Sequence, residues 1–212
     1  MPRGPSSAHS VQRDAILDTS ATTFAELGYH GATMAQLAQR CGVSKSLLYH
    51  YYPSKDAILF DLLHAYVSRL HALVIEVASR ELPAQEALAE TIRRFVREYE
   101  SSRSRHVVLL NDVKHLPPKE RDAVIAIERS IVAAVAELIC RTYGIDEGRA
   151  KVLTMSVFGI VNWTFTWLRA DGALSYGQFA EAVVGILEGG LNGGAARMQA
   201  FQPKPTSGKR HV

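Results

Sequence analysis

The sequence predicts an all-α protein of about nine helices, a short three-helix unit followed by a larger helical domain. Three observations carry that prediction. Apolar residues recur at helical spacing along the chain and nowhere alternate in the manner of a half-buried strand. Capping residues, glycines and prolines punctuate the chain at intervals of helical length. Two short periodic segments, 33–40 and 44–51, lie on either side of a tight turn around Gly42.

Each element has its own signals. The first helix, 10–27, sets Ala15, Ile16, Phe24 and Leu27 on one side and stops at Gly28. Thr33 opens the second, and Gln36 three residues later completes a capping box that satisfies two orphan amides. That helix ends at Arg40 or Cys41, because Gly42 readily takes the left-handed conformation. Ser44 caps the third helix, 45–51, which ends before Pro53. Ser54 caps a longer fourth helix reaching to near Ser79. Pro83 starts a fifth to near Ser102, and a sixth covers 105–114. Pro117 and Pro118 launch the seventh, to Tyr143 with Gly144 beyond. Asp146 caps an eighth helix expected to reach Ala170, and Ser175 caps a ninth that decays at Gly189 and Gly190. These signals divide the chain into a flexible arm at 1–9, a three-helix domain at 10–54, a helical domain at 55–192 and a disordered basic tail at 193–212.

Composition narrows the class. Of 212 residues, 47% are hydrophobic, enough for a proper core. The longest apolar region, 152–168, is interrupted by Ser, Gly, Asn and Thr, so no membrane span is expected. The N-terminus lacks the apolar core of a secretion signal, and a cytoplasmic location is expected. Cys41 and Cys140 are read as two free thiols. Net charge is only +3, but residues 1–55 carry +2 and residues 189–212 carry +4, leaving 56–188 mildly acidic. Positive ends around an acidic body suit contact with phosphate through one region. No GxSxG, P-loop, GxGxxG or HExxH pattern is present, so no enzyme activity is expected. His64 and His71 share a helical face without an acidic or cysteine partner, and no metal or cofactor is expected.

The segment 33–51 fits a helix-turn-helix mechanically. Ala38 is small where the two helices cross, Gly42 makes the turn, and Val43, Leu47 and Leu48 are expected to face inward toward Phe24. The third helix then presents Lys45, Ser46, Tyr49 and His50 outward, with Ser44 at its cap. A major groove accepts such a helix, whose N-terminal residues reach base edges. Tyr49, Tyr51 and Lys55 are candidate phosphate donors, as is Thr33 at the start of the second helix. No acid occurs from Gly28 to Lys55, which favours DNA over a plain three-helix packing unit.

The stretch GYHGATMAQLAQRCGVSKSLLYHYYPSKDAIL, with the helix before it, resembles the N-terminal domain of the TetR family of repressors over residues 10–63. The resemblance implies an all-helical dimer that binds palindromic operator DNA and releases it when an effector binds. It places Lys45 and Ser46 against bases, and Thr33, Tyr49, His50 and Lys55 mainly against phosphates. Many members carry glycine where Ser46 stands, so its hydroxymethyl either adds a base contact or limits the helix's approach.

Two further segments draw attention to an effector. FGIVNWTFTWLRADG contains Phe158, Asn162, Trp163, Thr166, Trp167 and Arg169, and a continuous helix would put both tryptophans on one face. LLNDVKHLPPKER brings Asn111, Lys114 and His115 to a helix end, with Arg121 just beyond. Aromatics with a few polar groups make small-molecule pockets, while tryptophans also pack cores and dimer interfaces. NWTFTWLRADG and LLNDVKHLPP resemble the C-terminal halves of regulators of phenylacetate and related acyl-coenzyme A catabolism. That resemblance implies an acyl-CoA thioester effector such as phenylacetyl-CoA, its acyl group among aromatics and its phosphates near Lys114, Arg121 or Arg169. A different flat apolar ligand, sensed by a regulator of efflux or detoxification, is the alternative. A homodimer through the last two helices is expected, using Ile160, Val161, Phe179, Val183, Val184 and Leu187, with close approach at Gly185, Gly189 and Gly190.

Overall fold

The computed structural model describes residues 5–199, with side chains placed from 9 to 190. Among the described residues there are nine α-helices, two 3-10 turns and no strand. α1 (Pro5–Gly31), α2 (Met34–Arg40) and α3 (Lys45–Tyr51) lead into the long α4 (Lys55–Ala78). There follow α5 (Ala84–Ser101), α6 (Arg103–Asp112) with a 3-10 turn (Val113–His115), and α7 (Pro118–Tyr143). α8 (Glu147–Asn162) runs into a second 3-10 turn (Trp163–Thr166), and α9 (Tyr176–Gln199) closes the described chain.

The caps explain most boundaries. Thr33 Oγ1 accepts from the Gln36 amide at 3.2 Å while the Thr33 amide donates to Gln36 Oε1 at 2.9 Å. Ser44 and Asp146 accept from Leu47 and Arg149 amides, each at 3.1 Å. Gly42 sits at φ 66°, and the Val43 amide donates across the turn to the Ala38 carbonyl at 3.0 Å. α1 bends at Gly28, whose φ of 71° and ψ of 161° break the helical path where a stop is expected.

Three boundaries differ from the expectation. α1 begins at Pro5, so residues 5–9 of the expected arm are helical; proline at a first helical position has the right φ and no amide to satisfy. Residues 1–4 lie outside the described residues. α9 continues past non-helical Gly189 and Gly190 to Gln199, into the expected tail, of which 200–212 lie outside the described residues. α8 stops at Asn162, not Ala170. In WTFTW, Thr164 and Thr166 hydroxyls donate to the carbonyls of Val161 and Trp163 at 2.8 Å, competing with the helical ladder among residues of poor helix propensity.

The chain divides into two compact units. One holds residues up to Arg69 together with Ser102–Arg129; the other holds Leu70–Ser101 and residues from Ser130 onward. The three-helix unit therefore does not end at residue 54. α6 packs along α1 in the first unit, with Arg105 paired to Asp18 at 2.7 Å, so non-local packing joins segments that the linear sequence separates. The core of this unit includes Ile16, Phe24, Leu37, Leu48, Ile58 and Leu62. In the second unit α5 packs on α9, and Ile92, Phe95, Val135, Ile139, Val157 and Val183 are buried. α4 is the one described helix long and apolar enough to cross a bilayer by length and composition. Its apolarity has a simpler cause, since Ile58, Leu59, Leu62, Leu63, Val67 and Val74 are fully buried inside the protein.

Candidate functional site

α3 is held by one side chain. Leu48 is fully buried, whereas Lys45, Ser46, Tyr49 and His50 are exposed on the rest of this seven-residue helix. Leu47 corrects the expectation: it is 40% exposed, because a helix this short buries only a narrow stripe and Leu47 lies about 100° away from Leu48. An exposed leucine among polar residues is an apolar contact suited to a thymine methyl, and the sequence reading missed it. Tyr51 is half-buried, its ring stacked on His9 with centroids 4.6 Å apart. Thr33 and Ser44 stay at the surface, but their hydroxyls are first of all helix caps.

Lys55 has a different task from the one expected. Its Nζ donates to the Tyr29 and Ala32 carbonyls at 2.7 and 2.8 Å and lies 4.2 Å over the Tyr29 ring. The ammonium thus neutralises carbonyls freed around the bend of α1, a cation at a helix C-terminus, and is not directed at phosphate. Tyr29 also donates its hydroxyl to Asp56, and burial with that bond raises its pKa. The bend of α1 and the start of α4 are therefore tied together through Tyr29.

The expected effector residues fall in both units. Asn111 is exposed, Arg121 is half-buried with Asp122 3.9 Å away, and His115 packs against Tyr29 and His30 in the first unit. In the second unit Phe158 is buried beside Phe95, with centroids 5.7 Å apart. Asn162 Oδ1 accepts from the Tyr99 hydroxyl at 2.9 Å. Phe95 and Tyr99, two residues of α5 that the sequence reading passed over, thus complete an aromatic group with one amide. The i, i+4 spacing on an amphipathic helix signals a buried face but not which helix it meets.

The tryptophans do not share the expected face, since α8 ends before them. Trp163 is 63% exposed and Trp167 50% exposed, the latter edge-on to Phe179 at 5.5 Å. Thr166 bonds its own turn, and exposed Arg169 lies 3.4 Å from Asp171. A crevice of about 140 Å³ between α5 and α9 is lined by Arg93, Val96, Arg97, Tyr176 and Glu181 among others, and not by these residues. Among the described residues no three His, Cys, Asp or Glu side chains are placed to hold a metal ion.

The expected dimer face also changes. Val161, Phe179, Val183 and Val184 are buried within the single chain, because α8 and α9 use them for the chain's own core. Of the expected residues Ile160 is exposed; with it α8 exposes Val152 and Met155, Ser156 and Gly159 lie between them, and Trp163 follows in the 3-10 turn. Spacings of three and four make this one apolar stripe, flanked by an open groove lined by Gly148, Lys151, Val152, Met155 and Ser156.

Comparison with known proteins agrees with this architecture. Residues 16–62 match the family described as bacterial regulatory proteins, tetR family. Residues 81–191, over half of the chain, match the tetracyclin repressor-like C-terminal domain. The transcriptional activator FasR of Mycolicibacterium smegmatis is 27% identical over 192 residues, covering 90% of this chain and 87% of FasR. A TetR-family regulator from Bordetella parapertussis superimposes with a TM-score of 0.79 at 35% identity, over 84% of this chain and 94% of that one. AibR, solved with isovaleryl coenzyme A and operator DNA, shares the fold at 24% identity, with a TM-score of 0.73 over 82% of this chain and 97% of AibR. With both domains matched and a full-length relative at such identity, the chain belongs to the TetR family of transcriptional regulators.

Proposed function

We propose that this regulator is a dimeric repressor that holds palindromic operator DNA through α3 and releases it when an acyl-CoA thioester binds. The observation that carries the DNA half is α3 itself, where Lys45, Ser46, Leu47, Tyr49 and His50 form an exposed face on a helix anchored by Leu48. Lys45 and Ser46, in the first turn, read base edges, and Leu47 meets a thymine methyl. Tyr49, His50 and the surface near Thr33 hold phosphates. One such helix covers few base pairs, so two are needed at half-sites about 34 Å apart. The α8 stripe of Val152, Met155 and Ile160 supplies the apolar surface for that dimer.

The effector half rests on the aromatic group of Phe95, Tyr99 and Phe158 with the Asn162 amide, which suits an acyl chain or phenyl ring bearing a carbonyl. AibR, of the same fold, was solved with an acyl-CoA and DNA, which favours this ligand class. Effector and DNA each favour a different dimer conformation, and α4 is the lever between them, since Lys55–Arg69 belongs to one compact unit and Leu70–Ala78 to the other.

The test is fluorescence anisotropy on labelled DNA from upstream of the protein's own coding region. The protein is titrated at physiological salt, and phenylacetyl-CoA and other acyl-CoA thioesters are then added. Competitor-resistant binding released by one thioester is expected. Binding strengthened by a thioester would make the protein a co-repressed regulator or an activator. Binding that only a different apolar ligand disturbs would overturn the ligand class and keep the regulator.

A further inference from the structure

Two residues just past the bend of α1, Tyr29 and His30, meet the end of α6 within one compact unit. His115, on the 3-10 turn that ends α6, stacks on Tyr29 at 14° with centroids 5.3 Å apart. It also meets the His30 ring edge-on at 4.3 Å. Its Nε2 is 3.9 Å from Asp112 Oδ1, and Asp112 is buried. Tyr29 and His30 lie between the bend at Gly28 and Thr33, the cap of α2, so whatever holds them holds the entry to the helix-turn-helix. Neither the effector role expected for His115 nor DNA contact accounts for this packing.

We propose that His115 is a positioning residue for operator binding, whose ring, docked on Tyr29 and His30, fixes the start of the helix-turn-helix against the end of α6. The docked position favours the neutral imidazole. The charged and titratable groups around it are His30 from α1, Lys55 and Asp56 from α4, and Asp112 and Lys114 from its own segment. A proton on His115 adds a cation beside His30, Lys114 and Lys55. Of the two carboxylates, Asp56 already accepts from the Tyr29 hydroxyl, and Asp112 opposes the effect by favouring the protonated ring, but burial and His30 outweigh it. Burial first, and His30 next, hold the His115 imidazole below its ordinary range. A group whose docked form is the less basic one loses docking as pH falls. The contact is therefore complete above about pH 6.5, the ordinary histidine value, and weakens below it. A helix-turn-helix whose entry is less fixed is less preorganised for the groove, so operator affinity falls with it.

This inference rests on the DNA reading above, and its experiment keeps the two apart. Duplexes retained by the wild-type chain are selected from random DNA, and affinity is measured by anisotropy from about pH 7.5 to about pH 5.5. Wild type, His115→Ala and His115→Phe are compared, and phenylalanine keeps the stack without the titration. His115→Ala is expected to bind about fivefold more weakly than wild type at the upper pH, the curves meeting at the lower. His115→Phe should bind like wild type at the upper pH and escape the acid loss. In parallel, NMR of the DNA-free chain follows the His115 ring, whose midpoint should lie below that of an unstructured histidine. Equal affinity of His115→Ala and wild type at the upper pH would overturn the proposal, as would an acid loss unchanged in His115→Phe. A His115 midpoint at or above the ordinary value would do the same. If no duplex is retained, the DNA reading falls, and the NMR midpoint still decides whether His115 docks as a neutral ring.

Discussion

α3 and α8 are both helices with a fully buried anchor and an exposed remainder, and the contrast lies in what they expose. α3 spends one residue, Leu48, on the core and turns Lys45, Ser46, Tyr49 and His50 outward. α8 buries Ala150, Thr154, Val157, Phe158 and Val161 and turns Val152, Met155 and Ile160 outward. A scattered exposed apolar residue is ordinary, but a stripe at helical spacing marks a surface for another protein. A cationic and hydrogen-bonding face without acids suits phosphates and base edges. The two exposed faces thus differ as the two partners proposed for them differ, a second chain and DNA.

The sharpest break of that contrast is Met155→Glu. It places a charge where the dimer is proposed to bury an apolar stripe and should cost association about 3–5 kcal/mol, because the charge would be left uncompensated. Sedimentation should then find monomers that keep the helical circular dichroism of wild type, since Met155 is 54% exposed in the single chain. A dimer as tight as wild type would move the interface elsewhere. Leu48→Ala removes the single anchor of α3 and should cost about 2–5 kcal/mol of stability, read by denaturant unfolding. A smaller loss would mean that α3 is held by contacts other than its one buried residue. Lys45→Ala leaves the fold intact and should weaken operator binding by about 1–3 kcal/mol if the lysine pairs with a guanine. Competition against base-substituted operators checks this, because a phosphate contact would lose affinity equally on every sequence. Arg169→Ala is the smallest. With its exposed guanidinium beside only Asp171, it should shift stability and thioester response by less than about 0.5 kcal/mol. A larger loss of thioester response would restore Arg169 to the effector site.

The exposed face of α3 was legible because its determinants are local. A capping box at Thr33 and Gln36, a left-handed Gly42 and a Ser44 cap act within a few residues of themselves, and the segment between them is short. The exposure of Lys45, Ser46, Tyr49 and His50 follows from helical spacing once Leu48 is buried. The aromatic group of the second unit was harder to read. Phe158 and Asn162 were recognisable, but Phe95 and Tyr99 stand some sixty residues earlier and no local pattern joins them. The tryptophans were misplaced because threonine hydroxyls in WTFTW bond the backbone and end α8 before them.

The sequence by itself determined the all-helical class, the positions of most helix starts and the chemistry exposed on α3. Those properties depend on backbone hydrogen bonds and side chains close in sequence, where residue type alone decides the energetics. Only the tertiary structure decided that Lys55 caps carbonyls around the α1 bend and that His115 docks on Tyr29 and His30. It likewise assigned Val161 and Val183 to the chain's own core and left Val152 and Met155 outside. Each of those outcomes is a choice among partners of similar chemistry far apart in sequence. Which partner wins is set by the packing of whole helices, and periodicity reports that a residue is apolar or charged without saying what it will meet.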